Sequence, residues 1–154
     1  MVFILMVLAN VAVTLISLGV LPARVAIHFG ADGVADGWGT NMASAIFMTA
    51  VHVFLFSTMY FSPRLVLQVP AKWVNLPNKA YWLSPPNQAR TLEKMQGFMW
   101  SFGAALFLFL LVTSVLSLQA NLAQPCRLNL AIFLPALGVF LAYASDRGHG
   151  PLDR

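Results

Sequence analysis

Four stretches of this chain, residues 1–21, 42–61, 98–118 and 128–144, contain no Lys, Arg, Asp or Glu. An α-helix needs about 20 mostly apolar residues to cross the hydrocarbon core of a bilayer. Four such runs account for most of the 154 residues, which leaves room for one integral membrane domain spanning 1–154. The expected fold is therefore an all-α, polytopic four-helix transmembrane bundle. Composition agrees: 59% of residues are hydrophobic and 9% are charged. A soluble domain carries about 25% charged residues to cover its water-facing surface, so a soluble fold with an oversized core is excluded.

The first run has no basic residue ahead of it and no small-residue cleavage site behind it, which favours a retained helix over a signal peptide. Asn10, Thr14 and Ser17 share one face of that helix. Pro22 ends it. The second run reaches Phe61 and is expected to stop at Ser62-Pro63. His52 lies near its middle, where an ionisable side chain is costly and marks a functional candidate. Asn10, also mid-span, is its natural hydrogen-bonding partner between antiparallel neighbours. The fourth run is short and contains Pro135.

Charge sets an expected direction. Arg64, Lys72, Lys79, Arg90, Lys94, Arg147 and Arg154 fall on one side of a four-span topology, and only Arg24 and Arg127 on the other. The positive-inside bias puts both termini and the 62–97 linker in the cytoplasm, in a cell inner (plasma) membrane. The net charge of +4 is thereby absorbed by topology and anionic lipid. No basic stripe suggests nucleic acid.

Two segments carry chemistry. Leu21 to Asn41, LPARVAIHFGADGVADGWGTN, is a Gly/Asp-rich outer loop. Asp32-Gly33 and Asp36-Gly37 read as turn dipeptides, with the aspartates capping turns and His28 bonding a backbone carbonyl. Arg24 to Phe29 is either extended or a helical turn. Trp38 reads as a membrane-interface residue. His28, Phe29, Asp32, Asp36 and Trp38 form the candidate binding surface, for a peptide, toxin or membrane protein partner. The spacing of His28, Asp32 and Asp36 is not a ligand pattern, so no metal and no cofactor is assigned. The second segment, Asn75 to Pro86, is a cytoplasmic interfacial linker in which Asn75, Lys79, Tyr81 and Trp82 are expected to lie against lipid headgroups. Helix should restart near Ser84 or Asn87. No paired carboxylates, activated nucleophile or phosphate loop occurs, so catalysis is not expected. Cys126 is the only cysteine and can form no intrachain disulfide.

These two segments resemble the DUF1648 membrane family. The first follows the family pattern at Leu21, Pro22, His28, Phe29, Gly33, Asp36, Gly37, Trp38 and Gly39, with Ala26 and Thr40-Asn41 departing from it. The second is similar at Asn75, Leu76, Pro77, Lys79, Tyr81, Trp82 and Pro85. The resemblance implies a membrane protein related to immunity proteins against the sporulation-delaying toxin, with no catalytic residue. Rival expectations are a small transporter or membrane enzyme built on His52, and a structural accessory subunit of a larger membrane complex.

Overall fold

The computed structural model describes residues 1–76 and 78–147. Pro77 and the tail with Arg154 lie outside the described residues. Among the described residues, five α-helices and one β-hairpin, besides two short 3-10 turns, follow in the order α1 (Val2–Val20), β1 (Arg24–Phe29), β2 (Ala35–Thr40), α2 (Asn41–Gln68), α3 (Lys79–Trp82), α4 (Gln88–Leu122) and α5 (Leu130–Asp146). The chain is mostly helical. α1, α2 and the segment containing α4 are each long and apolar enough to cross a membrane, whereas α5 is a shorter apolar helix.

α1, α2 and α4 pack on one another, and α5 packs against α4. Ring contacts fix the directions. Phe3, near the start of α1, stacks on Phe56 of α2 at 5.6 Å and meets Trp100 and Phe107 of α4 edge-on at 6.0 and 5.6 Å. Asn41 at the start of α2 donates to the carbonyls of Ser17, Leu18 and Leu21. α1 and α2 are therefore antiparallel, and α4 runs parallel to α1. Phe109 contacts Phe133, while Phe102 contacts Phe140, so α5 returns antiparallel to α4. Gly103 lets α4 approach Phe3: a Cβ there would stand 2.8 Å from the ring.

The second span does not stop at Ser62-Pro63. α2 continues through a buried Pro63 to Gln68. Proline removes one helical N–H and disturbs the carbonyls a turn before it. Just after it, Arg64 donates from Nη1 to the Tyr60 carbonyl at 3.1 Å with its guanidinium over the Tyr60 ring. The third span is longer than its apolar run. It begins at Gln88, with Asn87 in the cap position as expected, and ends at Leu122.

The outer loop is not irregular, and the fold is not purely helical. Residues 24–40 form an antiparallel hairpin. Arg24 pairs with Thr40, Val25 with Gly39 and Ala26 with Trp38. Asp32-Gly33 makes the turn: Gly33 has φ +80, and Asp32 accepts from the Val34 N–H at 3.0 Å. Asp36-Gly37 makes no turn and lies within β2. The α4–α5 connection joins the hairpin through the Val34–Arg127 bridge and the bond from the Leu128 N–H to the Gly33 carbonyl at 2.8 Å.

Candidate functional site: the hairpin and the space beneath it

The hairpin is built to present one face. β2 alternates, so Asp36, Trp38 and Thr40 are exposed, as the two-residue period of a strand requires. In β1 the register slips between Ala26 and His28 and slips back between His28 and Phe29. Each slip inserts an extra residue, leaving Ile27 and Asp36 without cross-strand partners. Both Ile27 and His28 consequently face solvent. His28 Nδ1 meets Asp36 Oδ1 at 2.5 Å, both side chains being largely exposed. Gly37 opposite His28 permits this approach, since a Cβ there would lie 2.7 Å from the His28 Cβ. The Arg24 guanidinium sits 5.4 Å from the Trp38 ring centre.

The expected surface is thus assembled in part. His28, Asp36 and Trp38 are all exposed, and Arg24 lies over Trp38, whereas Ile27 packs toward Gly39 and lines the cavity beneath the hairpin. His28 bonds a carboxylate rather than a backbone carbonyl, because the paired slips bring Asp36 alongside it. Asp32 is committed to the turn. Phe29 lines the cavity beneath the hairpin. Among the described residues, no group of three His, Cys, Asp or Glu side chains is gathered to hold a metal.

Asn121 holds the hairpin from behind. Its Oδ1 accepts from the Ala26 N–H at 2.6 Å, and its Nδ2 donates to the Ala26 carbonyl at 3.1 Å. Sequence reasoning missed this residue. The available signal was an asparagine at the end of an apolar run, one turn past the expected end of the third span. Beneath the hairpin, α1, α2 and α4 enclose a cavity of about 600 Å³.

The mid-span polar residues do not pair with each other. Asn10 donates to the Met6 and Phe107 carbonyls, both at 2.8 Å, and its Oδ1 is buried without a partner among the described residues. His52 packs on the Phe107 ring at 5.6 Å, and its buried Nε2 likewise has no partner. Phe107 of α4 meets both residues: Asn10 bonds its carbonyl and His52 packs on its ring.

At the opposite end of the helices, Asn75, Lys79 and Tyr81 are exposed, but Trp82 is buried. It is 4% exposed and packs with Met95, Val66 and Leu76. Lys94 lies over its ring, and Thr91 donates to its carbonyl at 2.7 Å. The polar first turns of α4 extend past the apolar run and cover it. At the hairpin end, burial pushes the Cys126 thiol pKa up.

The fold and site define a membrane-type helical protein capped by a hairpin. Residues 5–53 match the family model for the domain of unknown function DUF1648. The match takes in α1, the hairpin and the first half of α2, and with them Asn10, His28, Asp36, Trp38 and His52. Over these residues, about a third of its length, the chain is similar to the DUF1648 domain. No curated protein and no solved structure matches the chain.

Proposed function

We propose that this chain is a non-enzymatic bacterial inner-membrane protein that binds a peptide, toxin or partner subunit through the outward face of its hairpin. One observation carries this reading. The hairpin is fixed by Asn121 and the α4–α5 connection, yet Trp38 is 45% exposed with Arg24 over its ring, and the His28–Asp36 pair is exposed as well. An aromatic anchor with neighbouring polar groups on a rigid support is the composition of an interface hot spot. The excess of basic residues at the other end supports cytoplasmic termini and an outward hairpin. α5 would be the fourth crossing. Its 17 residues span about 25 Å, close to the hydrocarbon thickness.

The test is affinity purification of the tagged protein from native membranes in mild detergent, with mass spectrometry. A stoichiometric partner retained by the wild type and lost by Trp38→Ala and His28→Ala supports the reading. A partner retained equally by both variants refutes it.

A second reading, a small transporter or membrane enzyme using His52, is favoured by the buried, unpartnered Nε2. A His52→Phe protein with unchanged stability and cellular activity would dismiss it.

A further inference from the structure

We propose that the cavity beneath the hairpin is a binding site for one glycerolipid of the surrounding leaflet. Its volume of about 600 Å³ lies within the roughly 300–1,000 Å³ of small-molecule sites. Three features select the occupant.

The first is charge. Residues of α1, both strands, α2, α4, α5 and the α4–α5 connection line the cavity, and none of them is Lys, Arg, Asp, Glu or His. A free carboxylate or phosphate would find no countercharge there and would bear the full cost of desolvation.

The second is hydrogen bonding. Ser17, Ser44, Ser114 and Ser117 line the cavity, and none of their hydroxyls bonds to a described residue or is sealed from the surroundings. Hydroxyls left unpaired by the protein inside a bilayer need acceptors. The ester carbonyls of a glycerolipid are uncharged acceptors.

The third is depth. The lining reaches from the hairpin down to Val13, Met48 and Thr113. At 1.5 Å per residue, that is about two helical turns below the helix ends at Val20, Asn41 and Leu122. This range begins at the interface, where esters lie, and passes into the acyl region. There Phe47, Leu118 and Phe133 line it. Phe47 is 66% exposed, which opens the site toward lipid. The inference needs only that these helices lie in a bilayer. It stands or falls separately from partner binding at the hairpin face.

The experiment reconstitutes the protein into phosphatidylethanolamine–phosphatidylglycerol bilayers. These contain a phosphatidylethanolamine with a diazirine near the ester end of one acyl chain. After irradiation, labelled peptides are mapped. Labelling should concentrate on residues 13–17, 44–48 and 113–118. It should fall roughly tenfold, equivalent to about 1.4 kcal/mol, in a Ser114→Leu/Ser117→Leu protein that fills the space. Uniform labelling over outward positions such as Phe54 and Val139 overturns the proposal, as does undiminished cavity labelling in a folded double variant. If the double variant does not fold, the wild-type map decides alone.

Discussion

Asn121 completes the free edge of β1 at Ala26, taking both backbone polar groups of that residue with one carboxamide, at 2.6 and 3.1 Å. A side chain from the end of a membrane-type helix thereby acts as a short third strand. Ala26 is 3% exposed, so water cannot take its place.

Asn121→Leu should therefore leave two buried backbone groups unpaired, each costing about 1–3 kcal/mol. Hydrogen exchange of the 24–40 amides should accelerate, and the thermal midpoint should fall. Asn10→Leu should cost much less, because the Met6 and Phe107 carbonyls it bonds also serve the α1 and α4 ladders. Equal losses in the two variants would contradict this account of the hairpin's anchorage.

Glycine substitutions should divide by position. Gly33→Ala meets both a φ of +80 and the Leu128 carbonyl 2.8 Å from its new Cβ, and should destabilise by at least about 1 kcal/mol. Gly97→Ala in α4 has open space around the added methyl and should stabilise by about 0.5–1 kcal/mol. Thermal unfolding in one detergent checks both signs.

The first two spans, the polar face of α1 and the turn at Asp32-Gly33 were legible because they depend on hydropathy, helical spacing and local backbone chemistry. The His28–Asp36 pair was not, because it depends on two compensating register slips that no spacing rule reveals. The extension of α2 beyond Pro63 was not legible because a proline costs a helix one hydrogen bond without ending it when its ring is buried by neighbours. The burial of Trp82 depends on tertiary packing against Met95 of α4 and Val66 of α2, which the expected helix start near Asn87 did not by itself reveal. The expected Asn10–His52 pair failed because Phe107 of α4 takes the Asn10 amide on its carbonyl and the His52 ring on its own, a tertiary fact that spacing does not reveal.

Orientation is open to a direct check. In a Cys126→Ser background, His28→Cys should react with an impermeant maleimide in intact cells, and Lys79→Cys only after permeabilisation. Labelling of both from one side would rule out opposite placement of the hairpin and linker.

The Cys126 thiol, raised by burial, should alkylate slowly at neutral pH, with its rate rising at a higher pH than that of a free thiol. Because the folded-state pKa exceeds the unfolded one, the thiol's contribution to stability is full at neutral pH. It is lost as pH climbs through the folded value. A pH–rate profile matching an unfolded control would contradict the burial.

The central claim is that the exposed hairpin face, rather than the helix surface, meets a partner. A photoreactive amino acid at Trp38, compared with one at Phe54, tests it in native membranes. A discrete crosslinked species from position 38 that disappears on His28→Ala and is absent from position 54 is the predicted result. Crosslinking to the same species from both positions, or from position 54 alone, would contradict it.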